Sequence, residues 1–221
     1  DNWVYFAGFY WRIIRINGDG SIRMIYNGTT TAQTGIGTQI GTSSFNPHRG
    51  NYYVGLKYTA NQQHGTTTNS VVLNYLNTWY DENIVGTANE QYISTEAGFC
   101  SDRELPSGYT WSNNSSNLPY VASTRLNTSG TGPSLACNSV DVLQIPVGLI
   151  TGDEVIYGGA SMSTSGTTNF YLYTGQAYWT MTPFAFYRMG YDPEGANVFV
   201  VGTNAYVSNY PVNQASGVRP V

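Results

Sequence analysis

The pattern that most limits the fold is a series of short aromatic and β-branched runs after residue 169. These runs are NFYLYT, AYWTMT, ANVFVVGT, NAYVSNY and GVRPV. Such runs are typical of β-strands when they are bounded by Gly, Asn, Ser or Pro. Residues 3–16, WVYFAGFYWRIIRI, have the same character, and Asn17-Gly18-Asp19-Gly20 after them favours a hairpin turn. The sequence therefore predicts a domain that is rich in strands.

Two segments have helical patterns instead. Apolar residues recur at three- and four-residue spacing from Val72 to about Ile84, and residues 68–70 can cap this helix. Residues 151–154, TGDE, match a capping box, and the glycine pair at 158–159 ends the second, shorter helix. The Asp and Glu of this box are therefore interpreted as helix-start anions rather than as catalysts.

Between these elements, residues 27–70 are rich in Gly, Thr, Gln and Asn and show no sustained periodicity. We interpret them as a long polar loop insertion in a single domain that spans residues 1–221. His48 and His64 lie inside this segment without acidic or cysteine neighbours at ligand spacing, so we expect solvated histidines. The Asn-Gly-Asp-Gly turn lacks the spaced carboxylates of a calcium loop, and no metal site is predicted.

The charge of the chain excludes one class of partner. Charged residues make up 10%, Lys57 is the single lysine, and the formal net charge is −4. A footprint for phosphate backbones is missing, so nucleic acid is not an expected partner. Neutral polar surfaces are common on exported proteins, and we expect an extracellular or bacterial cell-surface location. No apolar run approaches a membrane span, and the start at Asp1-Asn2 favours a soluble, monomeric portion whose membrane anchor lies outside this chain.

The two cysteines, Cys100 and Cys137, lack the spacing of a zinc site. A disulfide between them is the leading interpretation, and two buried thiols are the alternative.

Enzymatic patterns are weak throughout the chain. No GxSxG elbow occurs, and no glycine loop that would hold a phosphate cofactor follows a strand and opens a helix. Carboxylate pairs for glycoside hydrolysis can be chosen among several acidic residues, but the sequence fixes no separation between them. These residues are Asp141, Asp153, Glu154, Asp192 and Glu194. We expect a protein that is not an enzyme and has no cofactor.

Several motifs together resemble a known family. They are YWRIIRINGDGSIRMIY, FCSDR, PVGLITGDEVIYGGA, YWTMTP, ANVFVV and the closing GVRPV. They are similar to a bacterial surface domain, often appended to prepilin-like or lipoprotein anchors, with the C-type lectin-like fold of formylglycine-generating-enzyme domains. The resemblance implies an α+β fold with mixed antiparallel sheets, two flanking helices, long loops and paired terminal strands. It does not carry catalysis across, because no cysteine follows Cys137.

The resemblance implies most for residues 178–221, which we call the C-terminal region. Its Tyr and Phe residues offer large rigid contact areas, while Asn, Ser and Gly offer adaptable hydrogen bonds, as in binding loops. The segment ANVFVVGTNAYVSNYPVNQASGVRPV is similar to the variable region of proteins diversified by retroelements. Arg219, set between Val218 and Pro220, is predicted to be structural, with its guanidinium held by carbonyls or a carboxylate.

The sequence thus predicts an adhesion or ligand-binding module, displayed on a surface, whose C-terminal region contacts a protein or a glycan. The alternative is a structural subunit of a pilus or surface layer. The predicted contact residues are Phe184, Phe186, Tyr187, Tyr191, Asp192, Asn204, Tyr206, Asn209, Tyr210 and Asn213.

Overall fold

The computed structural model describes residues 2–94, 96–111, 117–162, 168–187 and 195–221. Within these ranges the fold is α+β, with mainly antiparallel sheets and three α-helices. The helices are α1 (Val71–Asn83), α2 (Val121–Leu126) and α3 (Gly152–Tyr157). The strands are β1 (Trp3–Phe6), β2 (Phe9–Ile16), β3 (Ile22–Gly28), β4 (Gly41–Ser44), β5 (Lys57–Tyr58), β6 (Thr68–Asn69), β7 (Phe99–Cys100), β8 (Leu118–Pro119), β9 (Val142–Leu143), β10 (Tyr178–Tyr187), β11 (Gly195–Val201), β12 (Val207–Pro211) and β13 (Ala215–Val218).

The main sheet has the order β12-β11-β10-β13-β4, and β8 also pairs with β10. Every residue of β11 is buried. This burial on both faces explains why its sequence is a nearly unbroken apolar run and not an alternation of apolar and polar residues. Both faces of the sheet are covered by helices, and the alternating side chains of each strand contact one or the other of them. On one face Trp179 and Val198 share a core with α1, and on the other Phe199 shares a core with α2 and α3.

The helix ends follow the predicted capping chemistry. Ser70 caps α1, and its hydroxyl accepts a hydrogen bond from the Leu73 amide at 3.1 Å. At α3 the Thr151 hydroxyl accepts from the Glu154 amide at 3.1 Å, while the Glu154 carboxylate accepts from the Thr151 amide at 2.9 Å. Both predicted helices are confirmed. The expectation of two helices is corrected to three in the described chain, because α2, at six residues, is too short to show a periodic pattern.

Residues 27–70 differ from the predicted polar loop. Strand β4 pairs with β13 in the main sheet, and the side chains of Phe45, Val54 and Leu56 are fully buried. The apolar residues that this segment adds to the core occur singly or in pairs, so they form no periodic pattern in the sequence. These residues pack in one core with side chains of the main sheet and of α1, so tertiary contacts decide the conformation of the segment.

The end of the chain is joined to the N-terminal sheet, whose order is β1-β2-β3. The Tyr26 amide donates to the Pro220 carbonyl at 2.9 Å. Arg219 is 1% exposed and donates to the carbonyls of Tyr26 at 3.0 Å, Thr38 at 3.1 Å and Leu172 at 3.1 Å. This position agrees with the structural role predicted for Arg219.

The predicted disulfide is confirmed. Cys100 and Cys137 are bonded, with 5.8 Å between their Cα atoms. Cys100 belongs to β7, which pairs with β9, so the bond attaches the irregular segment before Asn138 to a small sheet. Across the described ranges, none of the helices has the length and apolar character needed to cross a membrane.

Candidate functional site

The predicted contact residues do not form one cluster in the described structure. Tyr191 and Asp192 lie outside the described residues. The others are all partly or fully exposed, but they are distributed over β10 and the hairpin of β11 and β12. We call the end of this hairpin near Val201 the turn end and the end near Gly195 the loop end. The seven residues of β11 separate these ends by roughly 20 Å.

Asn204 and Tyr206 lie at the turn end. The Asn204 side chain accepts a hydrogen bond from the Tyr206 amide at 3.2 Å, which fixes the turn around Ala205. Ala205 has a positive φ of 65°, and Tyr206 forms a β-bridge with Ser161. This turn is therefore set by local hydrogen bonds and lies apart from the remaining predicted residues.

Asn209 and Tyr210 are consecutive in β12 and point to opposite faces of the sheet. The Asn209 side-chain oxygen accepts from the amide nitrogen of buried Asn197 at 2.6 Å. The Tyr210 ring lies 6.2 Å from the ring of Trp179, on the α1 side. Strand geometry requires this separation, because neighbouring side chains alternate between faces.

An irregularity of β10 separates its two phenylalanines, because the register with β11 shifts between Pro183 and Ala185 and residues two apart then no longer share a face. Phe184 packs against Phe199, with 5.0 Å between ring centroids, on the face covered by α2 and α3. Phe186 packs against the core on the α1 face. Tyr187 is the last residue of β10 at the loop end, and its ring centroid is 6.4 Å from that of Phe184.

Sequence reasoning missed a group of aromatic side chains that we call the tyrosine cluster, which consists of His48, Tyr52, Tyr53 and Tyr58. The ring centroid of Tyr53 lies 4.4 Å from that of Tyr52, 4.9 Å from that of Tyr58 and 5.4 Å from that of His48. All four side chains are at least partly exposed. Burial, together with a hydrogen bond to Tyr52, raises the pKa of Tyr53 to about 12. The hydroxyl therefore stays protonated at neutral pH and can donate.

Arg49 links the tyrosine cluster to the C-terminal region. Its Nε donates to the Asn213 side chain at 3.0 Å, and its carbonyl accepts from the Ala196 amide at 2.9 Å. Adjacent to it, the Asn46 amide donates to the Val212 carbonyl at 2.8 Å. Exposed residues of both segments therefore meet at the loop end, which we define to include the tyrosine cluster. The Tyr52-Tyr53 pair inside a polar segment is the sequence signal that could have indicated this surface.

The carboxylates considered for catalysis are held by arginines in the described structure. Arg125 contacts Asp102 at 2.6 Å and Asp153 at 2.8 Å, and the Arg23 Nε lies 2.7 Å from Glu154. A cavity of about 240 Å³ beside the disulfide is lined by Arg23, Asp102, Asp153 and Glu154. Asp192 and Glu194 lie outside the described residues. Asp153 and Glu154 thus combine helix-start positions with ion pairs, as is usual for structural carboxylates.

The ionisation of Asp102 depends on its burial. Burial raises the pKa of Asp102 above its ordinary value, and the nearby Arg125 only partly opposes this effect. The folded protein therefore binds a proton at Asp102 more tightly than the unfolded chain does. Stability contributed by this group is fully present below the unfolded pKa and falls as the pH rises to the folded pKa.

His64 also differs from the expectation of a solvated histidine. Its Nδ1 lies 2.9 Å from Asp141, which is fully buried and also accepts from Arg103 Nε at 3.3 Å. The side chain of His64 is 33% exposed. No group of three or more His, Cys, Asp or Glu side chains in the described ranges could hold a metal ion.

Comparison of the chain with models of protein families, with curated proteins and with solved structures found no match. The functional interpretation therefore depends on the geometry of the loop end and on the chemistry of the residues that form it.

Proposed function

We propose that this chain is a non-enzymatic ligand-binding module of a bacterial cell surface, with a C-type lectin-like fold, that contacts a protein or glycan through the loop end. The single observation that carries this proposal is the Arg49–Asn213 hydrogen bond at 3.0 Å. It attaches an exposed amide of the C-terminal region to the segment that carries the tyrosine cluster. Two segments that are far apart in sequence thereby contribute to one surface.

The chemistry of this surface supports recognition. Tyrosine rings provide large contact areas with few rotamers to lose, and their hydroxyls provide hydrogen bonds. Asn213 is exposed, and its side chain is already oriented by Arg49, so less freedom is lost on contact. With charged residues at 10% of the chain, we expect a ligand that is bound through stacking and neutral hydrogen bonds.

The resemblance of the C-terminal region to retroelement-diversified variable proteins supports the same proposal. Asn, Tyr and Ser occur together around β12, which is the mixture of residues that the resemblance associates with a variable surface. We propose a monomer, an extracellular location and membrane attachment only through an anchor outside this chain. Neither nucleic acid nor a cofactor is part of the proposed activity.

The test is a screen of a glycan array and of a panel of bacterial and host surface proteins, followed by affinity measurements on the best hit. We expect Tyr52→Ala to weaken binding about 30-fold, as loss of an aromatic anchor worth about 2 kcal/mol does. Asn213→Ala should weaken it severalfold, and neither variant should lower the melting temperature by more than a few degrees.

Turn-end variants provide the matched control. Tyr206→Ala and Asn204→Ala change the same residue types about 20 Å away along the hairpin. The composition of the C-terminal region alone predicts that replacing either Tyr206 or Tyr210 by alanine would cost about 2 kcal/mol in the free energy of ligand binding. If Tyr206→Ala abolishes binding while Tyr52→Ala does not, the ligand binds at the turn end. If no probe binds at all, the module function is wrong.

One observation favours the alternative of a structural pilus or surface-layer subunit. Strand β1 lies at the edge of its sheet, and Tyr5 in it is 66% exposed. An edge strand with an exposed aromatic residue can pair with another chain. Sedimentation over a range of concentrations distinguishes the two functions, because a structural subunit should self-associate and Tyr5→Lys should prevent this.

A further inference from the structure

A second cavity, which shares Arg23 with the cavity beside the disulfide, is formed by side chains from several separate segments. It lies between β1–β3, the C-terminal part of α1, residues 92–94, residues 97 and 99, residues 146–147 and Val221, and its volume is about 330 Å³. This volume is within the range of small-molecule sites. An engineered apolar cavity of about 150 Å³ already binds benzene.

The lining of this apolar cavity is mainly hydrophobic and aromatic. It includes Phe6, Trp11, Trp79, Ile84, Phe99 and Val147. The rings of Trp11 and Trp79 meet edge-on, with 6.1 Å between their centroids. Aromatic edges of this kind are favourable neighbours for the face of another ring.

Charge is nearly excluded from the apolar cavity. Arg23 is the one charged side chain among the described residues that line it. The Arg23 guanidinium lies 4.1 Å from the centroid of the Phe99 ring, and its Nε is 2.7 Å from the Glu154 carboxylate. An anionic ligand would have to compete with Glu154 and to lose its own hydration, so an uncharged ligand is favoured.

Tyr80 adds one polar group that lacks a protein partner. It lines the cavity and is only 8% exposed, and its hydroxyl makes no hydrogen bond within the described part of the chain. Burial raises the pKa of Tyr80, so the hydroxyl is protonated and can donate. The Tyr80 hydroxyl is not among the buried polar atoms that lack a partner, so it is accessible to solvent and free to donate to the acceptor of a ligand.

We propose that the apolar cavity binds a small, flat, uncharged aromatic molecule carrying one oxygen that accepts a hydrogen bond from Tyr80. Such a molecule fills the volume, packs its ring against the aromatic side chains and accepts a hydrogen bond from the Tyr80 hydroxyl. This site is separate from the loop end, so the proposal does not depend on the proposed function.

The experiment titrates the intact chain with 2-naphthol, naphthalene and 2-naphthoate, using tryptophan fluorescence and two-dimensional NMR. We expect saturable binding of 2-naphthol, binding of naphthalene that is about tenfold weaker, and binding of 2-naphthoate that is at least tenfold weaker. Tyr80→Phe should remove the difference between 2-naphthol and naphthalene while retaining both. Equal or tighter binding of 2-naphthoate would overturn the proposed ligand class.

A cavity-filling variant tests the location. Ala97 lines the cavity, so Ala97→Phe should weaken 2-naphthol binding at least tenfold. Val140→Phe enlarges an exposed side chain outside the cavity and should leave binding unchanged. The melting temperature of each variant shows whether it is folded. Binding that is absent from the wild-type chain, or that persists unchanged in folded Ala97→Phe, would overturn the proposal.

Discussion

Replacing Arg219 by alanine should destabilise the protein strongly without touching the loop end. The guanidinium is 1% exposed and donates to carbonyls of Tyr26, Thr38 and Leu172, which belong to three different parts of the chain. No acidic side chain among the described residues pairs with it. Its stabilising effect must therefore come from these carbonyls, from the Asn27 side-chain oxygen at 3.5 Å and from the Tyr178 ring, which lies 4.8 Å from the guanidinium carbon.

The size of the effect follows from these contacts. A hydrogen bond from a charged donor contributes about 1.5–3 kcal/mol, and the single Nε hydrogen is shared between Tyr26 and Thr38, so the two donor groups together contribute about 4.5 kcal/mol. Removing a buried charge relieves part of its desolvation, and we expect a net loss of about 3 kcal/mol in the free energy of unfolding. For a chain of this length that loss corresponds to a fall of roughly 6–12 °C in the melting temperature.

Thermal unfolding followed by circular dichroism measures this fall. Arg219→Lys keeps the charge but loses the planar fork, so its melting temperature should lie between those of the wild type and Arg219→Ala. Lys57→Ala removes one positive charge that forms no ion pair in the described structure, and it should change the melting temperature by less than about 2 °C. An Arg219→Ala variant as stable as Lys57→Ala would refute the reasoning, because water or another donor would then replace the guanidinium.

The remaining predictions concern the disulfide, an acidic side chain and a helix cap. Replacing both Cys100 and Cys137 by serine should lower the free energy of unfolding by about 4 kcal/mol, because the bond closes a loop of 37 residues, and intact mass after alkylation should show no free thiol in the oxidised wild type. Asp102→Asn should gain stability relative to the wild type as the pH rises through the window between the unfolded and folded pKa of Asp102; a difference in melting temperature that is constant from pH 4 to pH 8 would contradict the raised pKa. Thr151→Ala should lower the free energy of unfolding by about 1–2 kcal/mol in urea titrations, whereas an unchanged midpoint would show that the capping box contributes little.

The sequence by itself determined the elements whose signals are local. The possible caps at residues 68–70 and at Thr151 located the starts of α1 and α3, because a side chain that satisfies a helix-end amide lies within three residues of it; the structure selects Ser70 among the first three. Hydrophobic, β-branched runs located the strands of the C-terminal region. The pairing of Cys100 with Cys137 followed from their being the two cysteines of the chain. The structural role of Arg219 followed from its apolar neighbours in a terminal strand.

Only the tertiary structure decided which side chains share a surface. Asn209 and Tyr210 are adjacent in sequence, yet the pleat of β12 sends them to opposite faces of the sheet. Asn213 and Arg49 are separated by 164 positions, yet they are hydrogen-bonded at the loop end. Composition describes which residues suit recognition, but it contains no information about register. The pairing of β4 with β13 and the packing on α1 supply that information, because they bring residues 27–70 beside the C-terminal region.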